Sequence, residues 1–166
     1  MNKLLALCLV LVFGGVVFGQ QTKAAAENFS QVSLSGETVE LERLKGAVVV
    51  LTFWSSRCAI CQAEIPKLNR LVETYQGKNV VFLGLTMESE AKVNAYLQKN
   101  SFDFKILPNS FGVVLKYADK DGSGKINMGF PAHFLINQKG EIELKTGGFD
   151  KTQQLDANIS RLLSAR

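Results

Sequence analysis

An unbroken apolar run, Val48-Val49-Val50-Leu51-Thr52-Phe53, leads within five residues to a pair of cysteines, Cys58 and Cys61. Behind them Ile65, Leu68, Leu71, Val72 and Tyr75 recur at helical spacing until Gly77. A β-branched strand with no polar alternation must be buried on both faces, and only a sheet covered by helices on both sides can hold it. The amphipathic repeat that follows is a helix, with glycine as its stop. This strand-to-helix passage dictates an α/β architecture, and it puts two thiols at the junction.

The rest of the chain reads in the same terms. Val80 to Thr86 is a second buried strand, and Ser89 is placed to cap a helix carrying Val93, Tyr96 and Leu97. Val32 to Leu34 and Glu37 to Leu41, joined by Ser35-Gly36, form an N-terminal hairpin extension. His133 to Asn137 and Glu141 to Lys145 flank Gln138-Lys139-Gly140 and predict an antiparallel hairpin. Asp150 with Gln153 reads as a capping pair before Leu155, Ile159, Leu162 and Leu163. Strand, helix, strand, helix, hairpin, helix gives a mixed central sheet flanked by helices. With 166 residues, 46% apolar and 20% charged, the chain is one domain and neither disordered nor fibrous. Its formal charge of +4 is dispersed without a basic run, which excludes a nucleic-acid surface.

The first 19 residues read as a signal peptide. Lys3 precedes fifteen residues, Leu4 to Phe18, that are almost wholly apolar. A membrane span needs roughly 20 apolar residues, so the run fits a signal core better than an anchor. Cleavage is expected after Gly19, an uncleaved anchor being the alternative; Cys8 lies inside the core, where a lipid-bearing cysteine does not belong. Residues 20–28 are expected to be a flexible lead-in and residues 29–166 the folded domain. The exported form, of 147 residues, then has two cysteines, Cys58 and Cys61. No stable membrane insertion is expected after cleavage. A domain of that size buries roughly 68–70% of its unfolded surface and needs no disulfide staple.

Two thiols at i and i+3 on the first turn of a helix can reach bonding distance. A thiolate there faces free backbone N–H groups and the positive end of the helix dipole, and Arg57 adds a cation. Cys58, nearer the helix start, is the expected attacking thiolate. Cys61 is the shielded partner that resolves the mixed disulfide. The short loop between them gains little from closure, so a purely structural disulfide is a poor explanation.

These residues resemble the thioredoxin superfamily, and within it the TlpA/ResA-like periplasmic thiol-disulfide oxidoreductases. The likeness runs from about Phe29 to Leu163. It rests on Phe53-Trp54 before the cysteine pair, on Glu64 and Pro66 after it, and on Gly129-Phe130-Pro131 with the following Phe134 to Ile142. The resemblance implies a thioredoxin-like fold, with Pro131 in a cis-proline loop facing the cysteines. It implies that the Phe130 backbone pairs with a substrate strand, so Trp54, Phe130 and Pro131 are expected on the substrate-binding side. Pro66 matches a helix-kinking proline. Glu64, one turn beyond Cys61, is expected to be partly buried with a raised pKa and to relay the Cys61 proton. A solvated Glu64 paired with Lys67 or Arg70 is the alternative.

The expected activity is reduction of disulfides in partner proteins, with no cofactor and with a separate reductant protein restoring the thiols, in an exported, periplasmic setting. Arg57 and Ile60 depart from the family's usual Trp and Pro. The dipeptide between the cysteines tunes a potential that spans roughly −270 to −120 mV across such proteins, so the direction of electron flow stays open. A peroxidase of related fold needs Pro and Thr where Leu51 and Ser55 stand. Two other readings remain: a copper or metal carrier using Cys58, Cys61 and His133, and a redox-silent peptide-binding module. Asp119 to Ile126 imitates the start of a calcium loop, but Phe130 stands where its bidentate Glu belongs. A polar turn in an insertion is expected there.

Overall fold

A strand buried on both sides has to be central, and in the computed structural model, which describes residues 23–165, it is. After a hairpin of β1 (Ser30–Val32) and β2 (Thr38–Glu40) and a 3-10 turn at Leu41–Leu44, β3 (Val48–Phe53) enters the middle of the sheet with every residue buried. It is followed by α1 (Ala59–Thr74), β4 (Val80–Leu85), α2 (Glu90–Leu97), β5 (Lys105–Leu107) and α3 (Phe111–Tyr117). A small hairpin of β6 (Asp119–Lys120) and β7 (Ile126–Asn127) precedes β8 (Ala132–Ile136), β9 (Ile142–Gly147) and α4 (Thr152–Ser164). The main sheet has the order β5-β4-β3-β8-β9. β3, β4 and β5 are parallel, whereas β8 runs antiparallel to β3 and β9 to β8. This is the thioredoxin-like fold.

Alternation along β3 builds two cores. Val49, Leu51 and Phe53 pack with Val113, Val114 and Tyr117 of α3, and with Phe29 and Leu41. Val48 and Val50 face Leu68, Leu71 and Tyr75 of α1 and Leu155, Ile159 and Leu162 of α4. A third cluster, Trp54, Cys61, Val93 and Ile106, joins the start of α1 to α2.

The expected signal peptide, residues 1–19, and residues 20–22 of the lead-in lie outside the described residues. The remainder of the lead-in is held rather than loose. Ile142 N–H donates to the Ala24 carbonyl at 2.8 Å and Ala26 N–H to the Gly140 carbonyl at 2.9 Å, so backbone hydrogen bonds tie it to the β8–β9 turn. Farther on, Leu34 N–H donates to the Ile106 carbonyl of β5 at 3.0 Å.

Both capping expectations need correction. Ser89 occupies the position before α2, but its side chain makes no capping hydrogen bond. Lys151, not Asp150, precedes α4; Asp150 has φ 63° and pairs with Lys67 at 2.6 Å, which takes its carboxylate away from the helix start. In the insertion, Asp121 Oδ1 accepts from Ser123 N–H at 2.9 Å, Ser123 O–H at 2.6 Å and Lys125 N–H at 3.0 Å. Those bonds, the Ser123 hydroxyl foremost, hold the carboxyl below its ordinary range. The calcium-like stretch is therefore a turn closed on its own aspartate, as a polar insertion.

Candidate active site

Strand β3 ends against the loop 54–57, and α1 starts immediately after it. Cys58, with extended backbone at φ −90° and ψ 102°, is the residue that caps α1, and its Sγ accepts the Cys61 N–H at 3.1 Å. A negative sulfur at this point would accept the same bond and face the positive end of a sixteen-residue helix. Cys58 and Cys61 form a disulfide with their Cα atoms 5.2 Å apart. The two sulfurs differ in access: Cys58 is half-buried, whereas Cys61 is 2% exposed. Ile60 between them is exposed, and so is Arg57.

Glu88, which no sequence motif marks, braces the loop before the cysteines. Its carboxylate accepts from Ser56 N–H at 3.0 Å, Ser56 O–H at 2.8 Å and Ser55 O–H at 3.2 Å, and Lys92 pairs with it at 2.7 Å. Burial would raise this carboxyl, but the bonds from Lys92 and Ser56 outweigh burial and hold it below its ordinary value.

Opposite the cysteines stands the 129–131 loop. The Phe130–Pro131 peptide is cis, and the Phe130 carbonyl oxygen lies 3.6 Å from Cys58 Sγ. Pro131 is buried, and its carbonyl accepts Gly148 N–H at 3.0 Å. Phe130 is half-buried. Trp54 is not on this surface. At 1% exposure it lies beneath the cysteines, with ring centroids 4.6 Å from Phe102 and 5.5 Å from Tyr96. A side chain so enclosed supports the site from below rather than touching a partner.

Glu64 departs from both sequence readings. It is fully buried, and Lys67, one of its expected ion partners, pairs with Asp150 instead. One carboxylate oxygen accepts Lys151 N–H at 2.9 Å, and the other lies 3.2 Å from His133 Nε2. Burial pushes its carboxyl upward, but the His133 and Lys151 hydrogen bonds and the charges of His133 and Lys67 outweigh it, so the net shift is downward, not upward as the sequence suggested. His133 is also fully buried, with Nδ1 3.0 Å from Thr52 Oγ1. Both its nitrogens are thus engaged, by Thr52 and by Glu64. Among the described residues no three His, Cys, Asp or Glu side chains gather as a metal site, so the trio Cys58, Cys61 and His133 is not assembled. No helix among the described residues is long and apolar enough to cross a membrane.

Comparison with known proteins agrees with this geometry. The AhpC/TSA family model matches residues 22–145. The chain is 28% identical over 139 residues to the thiol-disulfide oxidoreductase ResA of Bacillus cereus, covering 82% of this chain and 76% of that protein. It is 32% identical over 132 residues to the thioredoxin-like protein YneN of Bacillus subtilis, covering 78% and 71%. Among solved structures, a thiol:disulfide interchange protein of the thioredoxin family from Chlorobium tepidum superposes with a TM-score of 0.73 at 20% identity, over 86% of this chain and 97% of that one. The chain belongs to the AhpC/TSA family, as a thioredoxin-like thiol-disulfide oxidoreductase whose redox couple is Cys58–Cys61.

Proposed function

We propose that this protein is exported and works as a reductant of disulfides in partner proteins, with Cys58 as nucleophile and Cys61 as resolving thiol. The observation that carries the assignment is the unequal burial of the two sulfurs, with the accessible one at the helix start beside the Phe130 carbonyl. In the reduced protein the Cys58 thiolate attacks one sulfur of the partner's disulfide. A Cys58–partner bond forms, and the partner's other sulfur leaves with the electron pair and takes a proton. Cys61 then loses its proton and attacks Cys58 Sγ; the intermolecular bond breaks, and the partner departs fully reduced. The two electrons given up remain recorded as the Cys58–Cys61 disulfide, which a separate reductant protein must open.

Glu64 is the proposed acceptor of the Cys61 proton, since it follows Cys61 by one turn on the buried face of α1. Phe130 and Pro131 are the proposed contact surface for an extended partner segment, main chain against main chain. Trp54 is assigned the floor beneath the cysteines. Export rests on residues 1–19, with a periplasmic destination and a folded domain over 29–166. The named relatives, a thiol-disulfide oxidoreductase and a thioredoxin-like protein, are in keeping with this chemistry.

Reduction of insulin disulfides by the purified protein tests the assignment. Wild type supplied with a dithiol is expected to be active and Cys58→Ser inactive; equal rates would point to a redox-silent peptide binder. Cys61→Ala should hold its partner covalently on Cys58, and mass spectrometry of the trapped species from an extract of the exported compartment identifies the partner.

A further inference from the structure

His133 is the single imidazole of the chain. It has no surface exposure, and the exchange chemistry above makes no use of it. In the sheet it stands directly opposite Thr52, whose strand runs on into the cysteine loop. Nδ1 meets Thr52 Oγ1 at 3.0 Å, Nε2 meets Glu64 Oε2 at 3.2 Å, and the second Glu64 oxygen takes Lys151 N–H. Thr52, Glu64 and His133 are all buried. The charged groups around them are Lys67 on α1 and its partner Asp150 before α4. The neighbouring strands place the neutral Thr52 and Thr146 on either side of the imidazole.

We propose that His133 is a positioning residue for the exchange reaction: braced by Thr52, it allows Glu64 to take up and return the Cys61 proton without loss of a hydrogen bond. The inference rests on the reading of Glu64 as proton acceptor. A hydroxyl both donates and accepts, and an imidazole changes its pattern with its protonation. With the pair unloaded, Nε2–H donates to Glu64 and Nδ1 accepts the Thr52 O–H. When one proton arrives, the Thr52 hydroxyl turns and Nδ1–H donates to its oxygen. The carboxylate then accepts from an imidazolium, or holds the proton itself and donates to Nε2. In every arrangement the Thr52–His133 and His133–Glu64 hydrogen bonds both persist. Without the imidazole, only the Lys151 N–H and the Lys67 charge would offset the desolvation of a charged Glu64, which would then hold a proton more tightly and release it less readily.

The step balances in protons and electrons. Cys61–SH gives its proton to the pair, and the resulting thiolate forms a bond to Cys58 Sγ. The Cys58–partner bond breaks with both electrons leaving on the partner sulfur, which is protonated from solvent. The pair returns its proton to solvent and is ready for the next cycle.

Single-turnover oxidation of the reduced protein by dithiobis-nitrobenzoate separates the two sulfurs. The first equivalent of coloured thiolate reports attack by Cys58; the second reports closure by Cys61. His133→Gln retains an N–H for Glu64 but cannot carry a proton. It is expected to lower the ratio of second-phase to first-phase rate by about tenfold or more, part of the roughly 10²–10⁴-fold that a positioned acid–base group supplies. Its second-phase pH profile should also lack one ionisation present in wild type. Thr52→Val, which removes only the hydroxyl, should change the ratio in the same direction by less. If Glu64→Gln slows closure while His133→Gln keeps the wild-type ratio and pH profile, the role of His133 is overturned and that of Glu64 stands. If Glu64→Gln closes at the wild-type rate, the acceptor reading itself has failed, and this inference with it. Should His133→Gln not fold, a wild-type profile in Thr52→Val overturns the proposal.

Discussion

Cys58 Sγ lies 3.6 Å from the main-chain carbonyl of Phe130, although 72 residues separate them in the chain. β8 makes this contact possible by running antiparallel to β3 in a register that sets Phe53 opposite Ala132. The strand that ends in the cysteine loop and the strand that starts after Pro131 therefore meet at the same end of the sheet. One side of the reactive sulfur is the start of α1; the other is the Phe130 main chain.

Unequal access should appear first as unequal reactivity. In the reduced protein Cys58 is expected to ionise below the ordinary cysteine value of about 8.5, because its thiolate accepts the Cys61 N–H and faces the helix start. Iodoacetamide at neutral pH followed by peptide mapping checks this. Cys58 should be alkylated at least about tenfold faster than Cys61, in keeping with the shift expected at a helix N-terminus. Comparable labelling of both would contradict the assignment of nucleophile and resolver.

Glu88→Ala removes the acceptor for three hydrogen bonds that brace Ser55 and Ser56. The expected loss of stability is about 1–3 kcal/mol, the cost of leaving such donors without their partner. Denaturant unfolding measures it. Insulin reduction by the folded variant should fall as well, since this loop sets where α1 begins. A variant with wild-type stability would mean that the loop holds its shape without Glu88.

Acid should destabilise the protein through three buried or half-buried carboxylates. Glu64, Glu88 and Glu143, a β9 carboxylate paired with Lys23 and Arg161, all lie below the ordinary value of 4.5 in the folded state. A lowered folded value means that the unfolded chain binds the proton more tightly. The stabilising contribution is thus fully present above the ordinary value and is lost as pH falls through the folded values. Thermal unfolding midpoints should be level near neutrality and decline below about pH 4.5, with a shallower decline in Glu88→Gln. An unchanged slope in that variant would remove Glu88 from this set.

Leu155 is fully buried between α4 and the sheet, so Leu155→Ala should cost about 2–5 kcal/mol. Leu155 lies in the α1–α4 core rather than at the cysteines. Below the melting transition, activity per folded molecule should therefore be retained. Calorimetry combined with insulin reduction separates these two effects.

Patterns of five residues or more carried most of the sequence reading. β3, β4, α1 and the β8–β9 hairpin could be read because their side chains repeat at period two, at period 3.6, or without interruption. β5 and β6–β7 have three and two residues per strand and α3 has seven, too few for a period to emerge. Cys58, Cys61 and the Phe130–Pro131 loop were visible as motifs. The direction of the Glu64 shift was not, because it depends on His133, 69 residues away, and on the backbone of Lys151. The visible hint was a lone histidine within the apolar stretch Ala132 to Ile136. Glu88 gave no sign as part of the site: its i+4 pair with Lys92 is an ordinary helix-start contact, and the serine groups it braces lie 32 and 33 residues earlier in the chain.

The segment before β2 touches both margins of the main sheet, through Ala24 and Ala26 on the β9 side and Leu34 on β5. Open strand margins invite pairing with other chains, and proteins guard them with covers, charges or brevity. Here a single stretch of about a dozen residues acts as a clasp over both, with Lys145 standing on what remains of β9. Trimming the chain to residue 35 would unfasten the two margins together. The foreseeable fault in such a truncation is self-association before any loss of thiol chemistry.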